Sequence, residues 1–257
     1  MPSICMPKQS WFFDMWVMEL AYNGEHYHGW QVQPSLPTVQ GTLCCALEKL
    51  LLQPVSVSGC SRTDAGVHAR HFVCSLETEK PIGIPIEKFS KAANHLLPDD
   101  IVIKNVYAAP EGFHPRFDVK SKEYCYEIRD GKVFDPFLRG LVWQLPYQLD
   151  AEKMNRAAQH LVGTHDFSAF CSADACDDRV RTIFSLSVTR MGDRVVILVS
   201  GNGFLYNMVR IITGTLVDVS TGRFAEKDIE NILNSCDRTK GGRTAPPQGL
   251  YLNSVQY

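Results

Sequence analysis

The chain has 257 residues, 45% of them hydrophobic and 21% charged, with a formal net charge of −2. That is the composition of a folded globular protein, either one large domain or two small ones, and it excludes a largely disordered chain. No apolar run approaches the roughly 20 residues that span a bilayer, and Met1 to Met18 lacks the plan of a secretory signal; a cytoplasmic protein with no membrane partner is expected.

In chain order, Trp16 to Tyr22 reads as a strand. A helix follows from Thr38 to Leu52, with Val39, Leu43, Ala46, Leu47 and Leu50 on one face and Pro54 as its stop. Val55 to Cys60 and Phe72 to Glu77 alternate as strands; Glu87 to Leu96 is a second helix, stopped by Pro98, and Ile101 to Ala108 a fourth strand. The order repeats beyond a join near Pro110 to Phe117. Lys122 to Arg129 is a strand, and Asp150 caps a helix carrying Met154, Ala157, Ala158 and Leu161, with Gly163 just past its end. Thr182 to Arg190 and Arg194 to Ser200 form a hairpin. Phe204 to Ser220 and Ala225 to Ser235 read as helices, and Leu250 to Val255 as the closing strand. This predicts an α+β fold of two ferredoxin-like β-α-β-β-α-β halves, residues 1–112 and 113–257. They would form one broad, mostly antiparallel sheet with helices on one side and a central cleft. The residues before Asp14 read as an added strand edge or a tail.

Nine scattered cysteines, odd in number and without a C-x-x-C pair, argue against a disulfide framework or a structural zinc site. Cys171 and Cys176 near His165 and Asp166 match no common metal spacing. No metal is expected. The near-neutral charge means that any RNA-binding groups must be concentrated on one surface.

The densest polar segment runs from Gly59 to Ala69, Gly-Cys-Ser-Arg-Thr-Asp-Ala-Gly-Val-His-Ala, between two predicted strands. A rigid scaffold projects functional groups from such a connection. Arg62 and Asp64, two residues apart, share a side in extended backbone. Thr63-Asp64-Ala65-Gly66 is equally good turn chemistry, so a site and a plain turn both fit.

The Gly59 to Ala69 segment resembles the active-site motif of the tRNA pseudouridine synthase A family. Other regions of the same family are matched by Tyr22-Asn23-Gly24, Gly29 to Gln33, Thr38-Val39-Gln40, Phe113 to Phe117, Lys122 to Tyr126, Gly163 to Ser168 and Phe204 to Arg210, so the resemblance runs in the family's order from about Phe13 onward. The resemblance implies an isomerase that turns uridine into pseudouridine without a cofactor, with Asp64 as the catalytic carboxylate. It implies Arg210 as the partner of Asp64, and an opposing Arg lowers a carboxylate pKa; the plain alternative is a solvent-facing helix charge. It implies Tyr124 over the uracil, where a sheet-core tyrosine would fit the pattern equally. Arg62 resembles the arginine that displaces the target nucleotide, since a stacked base must leave its stack to react. His68, Arg70, Arg116 and Lys122 are expected substrate contacts, with His71, Lys120, Arg179 and Arg181 as further phosphate candidates. The resemblance also implies tRNA as partner, uridines 38, 39 and 40 of the anticodon stem-loop as targets, and a homodimer.

Two other readings fit parts of the chain. Two RRM-like units would bind RNA without turnover, but the aromatic RRM signature is missing from the predicted strands. A metal-dependent nuclease or phosphatase built on Asp64, His68 and His71 would need converging carboxylates, and this loop supplies one.

Overall fold

The computed structural model describes residues 15–172 and 178–257. The leading residues, Cys176 and the metal reading attached to it lie outside these. The first half runs β1 (Trp16–Tyr22), α1 (Val39–Leu51), β2 (Val55–Gly59), β3 (His68–Thr78), α2 (Ile86–Asn94) and β4 (Ile101–Ala108). The second runs β5 (Ser121–Asp130), β6 (Trp143–Leu145), α3 (Ala151–Ala158), β7 (Gly163–Asp166), β8 (Val180–Met191), β9 (Arg194–Gly201), α4 (Met208–Ser220), α5 (Asp228–Ser235) and β10 (Leu250–Gln256). The fold is α+β, as predicted. Two short strands, β6 and β7, join the expected order, and α5 stands between α4 and the last strand.

Caps and periodicity account for the helices. Thr38 accepts a hydrogen bond from the Gly41 amide at the start of α1, which buries Val39, Leu43, Ala46 and Leu47. The Asp150 side chain accepts one from Lys153 N and starts α3, as expected. α2 packs on β4, and α3 packs on β8 and α4.

All ten strands belong to one sheet, in the order β4-β1-β3-β10-β5-β9-β8-β7, with β2 beside β3 and β6 beside β5. Neighbours are antiparallel except β10 against β3 and β6 against β5. The two halves of the sheet meet where β10 lies parallel to β3, pairing Tyr251 with His68 and Leu252 with Ala69. This pairing explains why β3 begins at His68 and not at Phe72. The added residues find their partners some 180 positions away, where no local pattern reveals them.

The helix expected from Phe204 starts instead at Met208. Asn207 has φ 61°, a left-handed conformation that cannot propagate a right-handed helix, and Leu205 to Met208 form a turn leading into it, closed by Met208 N donating to Leu205 O. From Met208 to Val219 every residue of α4 except Arg210 is buried. A helix apolar on all sides lies inside a protein, not on its surface.

Candidate active site

The loop between β2 and β3 carries Ser61 to Gly66 and is tied down on both flanks. Trp30 N donates to Thr63 O at 3.1 Å, and the Tyr22 and Thr63 hydroxyls lie 2.8 Å apart. Val67 N donates to Asp64 O, closing the turn, and Gly66 takes φ +76° there. The turn reading therefore holds for this segment, and it is compatible with a site. The loop turns tightly, and in doing so it presents Asp64 to a cavity of about 390 Å³.

Asp64 meets Arg210 across that cavity, with Nη1 of the arginine 3.1 Å from Oδ2 of the carboxylate. Their side chains are 20% and 16% exposed, so the pair is half-buried yet reachable. Arg210 sits in the first turn of α4 and its guanidinium is pinned twice more. Nη1 also donates to Asn207 Oδ1 at 2.7 Å, and Nε donates to Ala245 O at 2.8 Å. The left-handed backbone of Asn207 is thus the geometry that brings its amide oxygen beside Arg210.

Burial raises the pKa of Asp64 above the ordinary carboxylate value, and Arg210 offsets only part of the rise by its charge and its hydrogen bond. The sequence led to the opposite expectation, a carboxyl lowered by its arginine. Desolvation outweighs the ion pair here.

Tyr124, on β5, is buried, places its hydroxyl 3.1 Å from Ser61 Oγ and stands edge-on to Phe204 with ring centroids 5.2 Å apart. Burial pushes its phenol well above its ordinary value, so it is neutral at physiological pH. Cys60 lines the same wall with its thiol pushed up to about 11 by burial, which keeps it un-ionised. Arg62, Arg116, Lys122 and Arg181 complete the rim. Burial lowers the pKa of the Lys122 ammonium, and the Arg116 charge lowers it further. Five cationic side chains therefore line a pocket that holds one carboxylate, on a protein of net charge −2. This is the local concentration of positive charge that RNA binding demands of a near-neutral chain.

Two expected contacts lie elsewhere. His68 is 1% exposed; its Nδ1 accepts from Gly24 N at 3.0 Å, Nε2 lies 3.2 Å from Gln248 O, and the ring stacks on Tyr251. With both nitrogens engaged and its pKa lowered by burial, it is a neutral framework group. Arg70 pairs with Glu127 and lies over the Tyr251 ring, also outside the pocket. The nuclease reading fails at the same point, because His68 does not converge with Asp64, and His71 Nδ1 accepts from Val255 N. Among the described residues no group of three or more His, Cys, Asp or Glu is placed to hold a metal. Asp166 accepts from the amide and hydroxyl of Ser168 and so caps a turn.

Sequence reasoning missed the segment Gly241 to Gly249, whose residues grip both Arg210 and the His68 ring. Its three glycines and two adjacent prolines were the available signal, a stretch with no periodicity that must still be built into the core.

The sequence model of a family described as tRNA pseudouridine synthase matches residues 20–118 and 157–257. The chain is 46% identical over 239 residues to a tRNA pseudouridine synthase A of Brevibacillus brevis, covering 93% of this chain and 97% of that protein. It is 47% identical over 243 residues to one of Bacillus velezensis, covering 93% and 97%. A Geobacillus relative of the same name is 45% identical over 240 residues, covering 93% and 96%.

Proposed function

Because the chain belongs to the tRNA pseudouridine synthase family and isomerises uridine to pseudouridine in tRNA, we propose that Asp64 carries the chemistry of that reaction. The observation behind the assignment is the 3.1 Å contact between Asp64 and Arg210, made between residues 146 positions apart at the wall of a cationic pocket. The reaction breaks the bond from C1′ to N1 of uridine, turns the base, and joins C1′ to C5. The C5 proton is lost and N1 gains one, so the product is an isomer and no electrons are exchanged with another molecule. An anionic carboxylate serves such a reaction by attacking C1′ or by taking the 2′ proton.

Burial makes Asp64 more basic than a free carboxylate, which suits either role. Arg210 keeps it ionised and fixes the direction of its oxygens. Tyr124, neutral and flanked by Phe204, is the aromatic wall against which the uracil lies. Arg62, exposed at the rim, fills the space that the flipped nucleotide leaves. Arg116 and Lys122 hold phosphates beside it, with Arg181 adding charge. His68 and Arg70 belong to the frame.

The uridines acted on are those of the anticodon stem-loop, at positions 38 to 40, reached by a homodimer in the cytoplasm. No helix among the described residues is long and apolar enough to cross a membrane. Residues 1–112 and 113–257 act as two units, one bringing Asp64 and the other Tyr124 and Arg210. The test is tritium release from tRNA transcripts labelled at uridine C5, comparing the wild type with Asp64→Asn. We expect release by the wild type and a loss of roughly 10⁴-fold in the variant, with tRNA affinity retained. Substantial release by a folded Asp64→Asn protein would remove Asp64 from its role, and transcripts with uridine at single positions read out the site preference.

A further inference from the structure

Residues 242–248 run along α4 in the opposite direction to the helix and touch both Arg210 and the loop that carries Asp64. At one end, Gly242 N donates to Thr215 Oγ1 at 3.0 Å. Arg243 donates twice from its guanidinium to Oδ1 of Asp218, once at 2.9 Å, and its backbone N lies 3.4 Å from Oδ2. Asp218 is fully buried and carries a second partner, Arg223, at 3.1 Å. In the middle, Ala245 and Arg210 exchange bonds: the Ala245 amide donates to Arg210 O at 3.0 Å, and Arg210 Nε donates to Ala245 O at 2.8 Å. At the far end, Tyr126 donates to Pro246 O, Gln248 O faces His68, and Pro247 lies against Gly66 in the Asp64 loop.

The fit leaves no slack. A Cβ added at Gly214 would fall 1.8 Å from the Arg243 carbonyl oxygen, and one at Gly242 would fall 2.6 Å from the Thr215 Cα. Arg210, Gly214 and Asp218 are each four residues apart, so they share one face of the helix, and that face is the track on which the segment lies.

We propose that residues 242–248 are the brace that aims the Arg210 guanidinium at Asp64, and that Arg243 and Asp218 are positioning residues for the isomerisation. The proposal rests on the reading that Asp64 and Arg210 serve the reaction. A buried carboxylate on α4 clamps a strap, and the strap's Ala245 carbonyl then holds Nε of the guanidinium, while Asp64 and Asn207 both engage Nη1. A small misplacement of such a group is expensive, about 10²-fold in rate where the shift reaches roughly 1 Å.

The test is a double-mutant cycle on single-turnover and steady-state tritium release, using the full chain and C5-labelled tRNA, with Arg210→Ala, Arg243→Ala and the double variant. Arg243→Ala leaves Asp218 paired with Arg223, so the fold is retained, as thermal unfolding will verify. Expected are a fall of about 10- to 100-fold in kcat, a KM for tRNA within about twofold of wild type, and no further fall when Arg243→Ala is added to Arg210→Ala. Arg243→Lys, which keeps a cation beside Asp218, recovers part of the rate. A normal kcat in Arg243→Ala, or the same loss on top of Arg210→Ala, overturns the brace. A wild-type rate in Arg210→Ala would instead overturn the assignment of Arg210, a separate result. Should Arg243→Ala fail to fold, Thr215→Val cuts the Gly242 tether and leaves the Arg243–Asp218 clamp in place, removing besides it only the hydroxyl's bond to Ile211 O within α4. The same non-additive pattern at smaller size is then expected, and additive loss would refute the proposal.

Discussion

The loop that brings Asp64 and the helix that brings Arg210 are built on opposite plans. The loop is short and partly exposed, and it takes its shape from backbone turns and a few hydrogen bonds to β1 and its neighbours. The helix is enclosed on every side except at Arg210 itself. In the proposed reaction the carboxylate has to be approached by substrate, so its carrier stays at a surface. Its partner only has to stay still, and a buried helix is the stiffest mount available. The difference teaches that the two halves of one ion pair carry different burdens: access on the side of Asp64, rigidity on the side of Arg210.

The largest effect that breaks this comparison is expected from Arg210→Ala. We predict a fall of about 10²- to 10³-fold in kcat and an acid limb of the pH–rate profile displaced to higher pH. Arg210 is what holds the Asp64 pKa down against desolvation, so without it the carboxylate takes up its proton sooner as pH falls. An unmoved acid limb in a folded variant would mean that the arginine does not act through the carboxylate.

A smaller effect separates rim from frame. Arg116→Ala is predicted to weaken tRNA binding and to reduce the slope of log affinity against log salt by about one, because Arg116 lines the pocket. Arg70→Ala, which breaks the contact with Glu127 far from the pocket, should lower thermal stability and leave that slope alone. Filter binding over a salt series distinguishes them, and equal slopes for the two variants would return Arg70 to the binding surface.

The smallest effect is on stability and has a counter-intuitive sign. The folded protein holds the Asp64 carboxyl above its unfolded pKa, so it binds that proton more tightly than the unfolded chain does. Stability is therefore lost as pH rises from the unfolded value through the folded one. We predict that Asp64→Asn, which never ionises, melts higher than wild type at pH 7. The gain should vanish below about pH 4, where an unfolded carboxylate is itself protonated. Calorimetry at the two pH values decides it, and a lower melting temperature at pH 7 would contradict the raised pKa.

How much of this was legible in the sequence follows from the range of the interactions involved. α1 was readable because its apolar residues recur at helical spacing, and α3 because its cap, Asp150, acts within three residues. The Asp64 motif was readable because its glycines, arginine and carboxylate are contiguous. The start of α4 was not, since Asn207 sits inside an apolar-periodic stretch and only its left-handed backbone ends the helix there. The role of His68 was also hidden. A histidine beside a catalytic motif looks like a ligand contact until Gly24 and Gln248 are seen to occupy both its nitrogens. The net shift of Asp64 was out of reach for a similar reason, because burial is a property of the assembled cavity and not of the motif.

The pairing of β10 with β3 sets a timetable for the molecule. The contacts that complete the pocket join residue 64 to 210 and residue 68 to 248, spans of 146 and 180 positions. Loops of that length close late in folding, after local helices and hairpins have formed. A growing chain that has passed residue 210 already has every side chain that lines the pocket except Leu250. It still lacks the strand that joins the two sheet halves and the segment that grips the arginine. Activity should therefore switch on abruptly near the end of folding, and a chain interrupted before residue 242 would carry every pocket side chain but Leu250 without the segment that grips Arg210 through Ala245.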